Sequence, residues 1–412
     1  MDTPVPEETI DNRQADLTHT TIALITDQWQ ISGKQMLTSG AYFRTYSLNL
    51  KSNFGDGLIQ QSEFRTVAGG SALYTAALGQ RWSLLAGLDA RRDAPRGLNL
   101  AKADDHGVFH LVTSNDLTIT DLSPYAAVNG RYGRNFQVYL GARRDQILFN
   151  NQDLLQPANS FDTWTGTTSP RVNVTLGRVD APVLPQVAFS YGKAFHANDP
   201  RIGNGDGEGG GGPGDLIVQA REFQLLATKI VANTQIQLTL ARVSNSAELA
   251  KIDPDTGLQQ NQGPSLNRYL TLSVLRRPRR GMWQISWSQA DARDRDDGTP
   301  VPEAPRMIVD AVGMLNQLVW GMSAQAEYEY VKAKPLGDGF TGVPLQEIRM
   351  ALHKSFQDGR WQVVLNGQLV NGFTGQTTET LAVGNEKVPS ERVVGVPTAS
   401  YASVSVLYSF GR

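Results

Sequence analysis

Short and long connections alternate strictly along this chain. From about Trp29 to Phe410, each segment of period-two apolar residues runs into a tight turn, the next into a long polar loop, and the next into a tight turn again. An up-and-down membrane barrel has this layout, with short turns on the periplasmic side and longer loops outside. The pattern therefore fixes topology and orientation together.

Tight turns are expected at Ser32-Gly33-Lys34, Leu78-Gly79-Gln80, Tyr132-Gly133-Arg134, Ala232-Asn233, Pro278 to Gly281, Trp320-Gly321 and Gln357-Asp358-Gly359, with a slightly longer one from Asp180 to Pro185. Long loops are expected around 93–115, 150–168, 197–215, 246–265, 291–305, 333–344 and 375–393. Strands of a membrane barrel alternate lipid-facing apolar with lumen-facing polar residues. Ile236, Leu238 and Leu240 oppose Gln235, Gln237 and Thr239; Trp283, Ile285 and Trp287 oppose Gln284, Ser286 and Ser288. Ala324, Ala326, Tyr328 and Tyr330 oppose Ser323, Gln325, Glu327 and Glu329, and Trp361, Val363, Leu365 and Leu369 oppose Gln362, Asn366 and Gln368. A soluble sandwich buries its inward faces against each other and could not accept so many polar side chains there. The expected fold is all-β: an antiparallel up-and-down transmembrane β-barrel.

Composition agrees. The 412 residues are 40% apolar and 19% charged with a formal charge of -2, so no dominant field points to nucleic acid. The absence of cysteine excludes a disulfide framework, cysteine-ligated zinc and a thiol nucleophile. No run approaches the roughly 18 to 20 apolar residues of a membrane helix, so any crossing must use strands.

About 17 strands are counted, from near Thr21 to Phe410. An odd count leaves the first and last strands running the same way, both toward the periplasm, and they cannot close antiparallel. At least one ascending strand is expected before Thr21. The acidic segment from Met1 to Gln14 has neither the basic nor the apolar region of a secretory signal, so the true amino terminus is expected upstream. Residues 1–20 are read as disordered or an outer-loop remnant, and 21–412 as a partial barrel.

The run Ser190-Tyr191-Gly192-Lys193-Ala194-Phe195-His196-Ala197-Asn198-Asp199-Pro200-Arg201, with Ser169-Pro170-Arg171 before it, resembles TonB-dependent outer-membrane receptors. Members commonly end a strand in Gly-Phe-His-Ser-Asn-Asp and a basic residue; here Ala194 precedes the Phe and Ala197 replaces the Ser. Gly87-Leu88-Asp89-Ala90-Arg91-Arg92-Asp93 and Leu140-Gly141-Ala142-Arg143-Arg144-Asp145 are similar to the family and to each other, as equivalent strand ends. The last strand, with Ala402, Val404, Val406, Tyr408 and Phe410 on one face, resembles the terminal signal of such barrels, although Gly411-Arg412 follow it.

The resemblance implies a bacterial outer-membrane location and a 22-stranded barrel whose plug, TonB-contacting box and first five or so strands are absent here. It also implies outer-membrane lipid and lipopolysaccharide as surroundings, and the TonB complex as a partner reached through the missing plug. The ligand would be a scarce small molecule such as a siderophore, cobalamin or an oligosaccharide. A passive porin-like channel is the alternative, and a soluble all-β adhesin or binding protein a third reading.

No phosphate-binding loop, zinc helix or nucleophile elbow is present, so neither an enzyme nor a cofactor is expected. His106 and His110 are four apart but read as exposed loop imidazoles, and no metal site is expected. His196, Asn198, Asp199 and Arg201 are the candidate ligand-binding residues, Arg201 being suited to a carboxylate or phosphate. The same group would also serve to start a loop, Asn and Asp capping backbone amides. Arg91, Asp93, Arg143, Asp145, Glu327 and Glu329 are expected in the lumen, tuning passage or pairing with one another and with a plug. Arg276, Arg277, Arg279 and Arg280 read as a solvated patch in a periplasmic turn.

Overall fold

The computed structural model describes residues 14–409 apart from 54–57, 105, 199–215, 248–262, 337–339, 357–358, 384–385 and 398–399. The alternating segments all form strands. β1 (Ala15–Ser32), β2 (Gln35–Asn53), β3 (Leu58–Leu78), β4 (Trp82–Ala103), β5 (Phe109–Tyr132), β6 (Phe136–Asp153) and β7 (Phe161–Leu176) are long. Shorter strands follow: β8 (Gln186–Ala197), β9 (Ile217–Val231), β10 (Thr234–Asn245), β11 (Ser265–Arg276), β12 (Gly281–Asp294), β13 (Met307–Leu315), β14 (Ser323–Val331), β15 (Leu345–Phe356) and β16 (Trp361–Asn371). Each pairs antiparallel with its neighbours in sequence. β16 then pairs with the last strand, β19 (Tyr401–Tyr408), while β17 (Phe373–Val383) and β18 (Glu386–Pro397) make a hairpin of their own.

The main sheet holds 17 strands, the number read from the sequence. Its first strand begins at Ala15, ahead of the expected Thr21. β1 pairs only with β2 and β19 only with β16, so among the described residues the sheet has an open seam. Both seam strands run toward the short-turn end. The expected conflict of direction is there, and no antiparallel closure relieves it.

Two expected loops are mostly strand. β4 continues to Ala103 and β5 starts at Phe109, so the connection within 93–115 is only the turn between them. Within 150–168, β6 runs to Asp153 and β7 begins at Phe161, with a single 3-10 turn at Pro157–Asn159 between them. Above the bilayer both faces meet water or protein, so polar residues no longer mark a loop, while ladder hydrogen bonds still favour pairing. A register shift between Asp93 and Leu98 bends β4 where this extension begins. The expected loop at 375–393 is largely the β17–β18 hairpin. The short turns whose residues are described stand where expected, Gln357 and Asp358 lying outside them, and Gly79 and Gly133 adopt φ of +79° and +62°, which side chains other than glycine rarely take.

One face of the sheet is apolar over about ten residues per strand. On β4 it runs Trp82, Leu84, Ala86, Leu88; on β6, Phe136, Val138, Leu140, Ala142. That span matches the roughly 25 Å apolar band of a membrane barrel. Its short-turn edge carries aromatic pairs: Trp82 with Tyr132 at 5.7 Å, Tyr132 with Phe136 at 5.8 Å, and Trp361 with Tyr408 at 4.6 Å between ring centroids. Its far edge is marked by Arg92 on β4, one outward position beyond Ala90, and by Arg144 on β6, the position after Ala142.

The upper end of the β8–β9 pair leaves the wall. β7–β8 pairing stops at Arg171 and Gly192, whereas β8–β9 pairing continues to Ala197 and Ile217. Phe195, Ala197 and Ile217 pack instead on Ile147 and Phe149, which stand on the lumen face of β6. With Ile119, Phe161 and Leu216 they form an apolar core above the membrane band.

Candidate functional site: the charged lumen face

On the lumen face of β3 to β6, at the level of the outer membrane boundary, ionisable side chains from four strands meet. Arg143 donates through Nε to Asp145 Oδ1 at 2.6 Å and through Nη1 to Asp89. Ser123 donates to Asp121 Oδ1 at 2.7 Å and to Asp145 Oδ1 at 2.8 Å. One strand over, Arg91 pairs with Asp93 at 2.9 Å, and Arg65 reaches both Asp93 at 3.7 Å and Glu63 at 3.2 Å. Five carboxylates (Glu63, Asp89, Asp93, Asp121, Asp145) thus face three arginines. Asp145 is fully buried, and Asp93 Oδ1 and Asp145 Oδ2 have no hydrogen-bond partner among the described residues.

The two echoing motifs explain this arrangement. Alternation sends Gly87, Asp89, Arg91 and Asp93 of β4 to the lumen, and likewise Gly141, Arg143 and Asp145 of β6. An Arg and an Asp two apart on one strand face can pair directly, as Arg91–Asp93 and Arg143–Asp145 do. Gly87 matters for a different reason: Tyr125, its partner across β5, lies against it so closely that a Cβ there would sit 2.3 Å from the ring. The Arg143 guanidinium then stacks over Tyr125 at 5.9 Å. Glycine, tyrosine and arginine build one layered support.

A second cluster lies on β13 to β15. Arg349 pairs with Glu347 at 2.5 Å, Glu327 at 3.5 Å and Glu329 at 3.9 Å, and Asp310 is on the same face. Three carboxylates here share one arginine, with Asp310 opposite Glu329. Asp310, Glu347, Arg349 and Asp121 were not picked out as site residues in the sequence. The period-two pattern that places Glu327 and Glu329 in the lumen would have found them by extension across the neighbouring strands.

The expected ligand residues fare differently. His196 is exposed, and Asn198 is buried, its amide donating to Leu216 O at 2.9 Å across the end of the β8–β9 pair. Asp199 and Arg201 lie outside the described residues, as do the glycine-rich residues 203–214. Arg276, Arg277, Arg279 and Arg280 sit at the short turn between β11 and β12.

Among the described residues no cluster of three metal-ligating side chains occurs, His106 and His110 included. His110 Nε2 lies 3.0 Å from Asp104 Oδ2, and Asp104 Oδ1 accepts from the amides of His106 and Val108, both at 2.9 Å. The His110 hydrogen bond, with those amides, holds the Asp104 carboxyl below its ordinary 3.8. A depressed carboxyl contributes stability above its unfolded value that disappears as pH falls through the folded one. Carbon NMR of the side chain should show Asp104 titrating below 3.8 and moving back up in His110→Ala. Titration at the ordinary value in the unmodified chain would show that the turn is not tied this way.

This lumen face is a surface for hydrogen bonding and charge selection. Its excess of carboxylates favours cationic or donor-rich groups.

Solved structures share this fold. The ferric citrate transporter FecA in its unliganded form superposes with a TM-score of 0.73 at 10% identity, over 96% of this chain and 62% of its own. The ferric yersiniabactin uptake receptor FyuA from Yersinia pestis gives 0.70 at 10% identity, over 96% and 61%. The copper transporter OprC gives 0.69 at 11%, over 85% and 59%. The fold is thus that of the barrel of TonB-dependent receptors, and these neighbours are transport receptors, not enzymes. The chain spans about three fifths of their length. No protein-family model matches the sequence, and no curated protein does.

Proposed function

We propose that this chain forms most of the barrel wall of a TonB-dependent outer-membrane receptor, which takes up a scarce ligand such as a siderophore, cobalamin or an oligosaccharide. The observation that carries this reading is the open seam. β1 and β19 both descend, so the barrel is completed by an odd number of further strands whose outer members ascend. A second copy of the chain cannot do this, because in the same membrane orientation it also offers only descending edges. The missing strands, and with them a plug that the TonB complex pulls, belong to the rest of the receptor. The carboxylate-rich lumen then faces that plug or the passing ligand.

A passive channel closed by this chain alone makes the opposite prediction at the seam. The sequence has no cysteine, so a Thr26→Cys/Ser403→Cys variant carries only the probe pair. These two positions sit at similar depth on the lumen faces of β1 and β19. In membranes they should stay unlinked under mild oxidation. Efficient disulfide formation would mean that β1 and β19 are neighbours, and would overturn the receptor reading in favour of a porin-like channel.

A further inference from the structure

Cations oppose each other in pairs on one sector of the sheet. On β10 and β11, Arg242 lies directly across from Arg268; on β8 and β9, Lys193 lies across from Arg221. Lys193 and Arg221 stand above Gly192, where β8 has parted from β7, whereas alternation puts Arg242 and Arg268 on the lipid side, continuing the rows that contain Phe223, Leu240 and Leu270. These two arginines stand just past the apolar band, at the outer headgroup level. Like charges directly opposed across a ladder are destabilising, because their Cβ atoms are only about 5 Å apart. Elsewhere at this level the outward cations have neutral partners: Arg92 faces Ala68 and Thr120, and Arg144 faces Thr168.

The one carboxylate opposite either arginine in the ladder is already engaged by another arginine. Among the described residues neither Arg242 nor Arg268 has an ion pair, and Asp291, across from Arg268, is engaged by Arg293 at 2.9 Å. Arg242 and Arg268 line an open groove of about 530 Å³, with Phe189, Phe223, Leu225, Leu240 and Leu270 as its apolar lining and Asp291 beside the two arginines. An apolar lining on the lipid side takes acyl chains. A pair of guanidinium groups at headgroup height takes phosphate, which arginine binds through parallel N–H donors. One molecule satisfies both halves.

We infer that the β8–β12 sector is a binding site for a phosphorylated, multiply acylated lipid of the outer leaflet, with Arg242 and Arg268 clamping a phosphate. The inference rests on the membrane reading above. The site would fix the barrel's height and rotation in an asymmetric bilayer and offset the repulsion built into the sheet.

The test uses the full chain reconstituted in nanodiscs containing bisphosphorylated lipid A, its dephosphorylated form, or phosphatidylglycerol, and in zwitterionic detergent with inorganic phosphate. Unmodified protein should retain bisphosphorylated lipid A at least tenfold better than the dephosphorylated form through washing and native mass spectrometry. Arg242→Gln/Arg268→Gln should abolish that preference, and Arg242→Lys/Arg268→Lys should keep part of it. In zwitterionic detergent alone the Gln variant should melt higher than the parent, since the repulsion is gone; with lipid A present that order should reverse. Equal retention of both lipid A forms, or an unchanged preference in the Gln variant, would overturn the site. So would protection by inorganic phosphate that matches the lipid, since the anion would then be a soluble one. Failure of the parent chain to enter any nanodisc would count against the membrane reading itself.

Discussion

Phe149→Ala will cost about 3 to 4 kcal/mol of stability, near the middle of the range for buried aromatic truncations. Phe149 is fully buried and packs with residues from β6 and β9, with side chains of β5, β7 and β8 against them. Few other contacts hold this region, because β8 has already parted from β7 above Gly192. The loss should therefore be local as well as global: protease should cut near Phe195–Ala197 in the variant before the wall unfolds. Phe149→Leu keeps much of the apolar volume and should lose less than half as much. Trp164→Ala, on the outward face of the adjoining strand and 68% exposed, should stay within about 0.5 kcal/mol of the parent. Urea unfolding followed by tryptophan fluorescence, with limited proteolysis alongside, measures all three. Parent-like behaviour of Phe149→Ala would show that the β8–β9 end does not pack over the lumen.

The same core shows where the sequence is readable and where it is not. Period-two alternation is a local signal, and it places Ile236, Trp283, Tyr328 and Leu365 on the lipid side because each strand must satisfy a bilayer on one face. Turn glycines are local too, so Gly79 and Gly133 are found directly. Above the bilayer the lipid no longer imposes the pattern. β4 to β7 continue as strands through segments that read as loops, and the only cue is a scatter of apolar residues, Leu98, Leu100, Leu117, Ile147 and Phe149, whose partners lie far away in sequence. Ile217 covers Phe149 across a long stretch of chain, and no spacing rule predicts that contact.

The charged site was partly legible for a similar reason. The echo between residues 87–93 and 140–145 marks Arg91, Asp93, Arg143 and Asp145 as equivalent strand-end positions, and all four stand in the lumen. Their partners come from neighbouring strands, and finding them requires register, which turn length and bulges fix. Asp121 and Ser123 reach Asp145 only because β5 and β6 pair as they do. The seam was legible because strand parity is a counting argument and survives errors of a few residues at each boundary.

Register also sets the second large effect. Arg143→Met should destabilise the barrel by about 3 kcal/mol, because it leaves the buried Asp145 carboxylate without its cation. Asp145 keeps Ser123 as a donor, which holds the loss to the low end of that range, but Asp89 loses Arg143 as well and Asp121 lies close by. Asp145→Leu alone should cost less, since Arg143 is partly exposed and retains Asp89 and the Tyr125 ring. Arg143→Met/Asp145→Leu should be more stable than Arg143→Met, giving a coupling of about 2 kcal/mol in a double-mutant cycle. Heat modifiability on gels and urea midpoints provide the four values. If the single changes simply add, the pair is a solvated contact of the kind found on protein surfaces, and the lumen face at this level is wetter than the burial of Asp145 implies. If they couple as expected, this pair is fixed within the wall, and the carboxylates left to meet a ligand or a plug are Asp121 and those around Arg349.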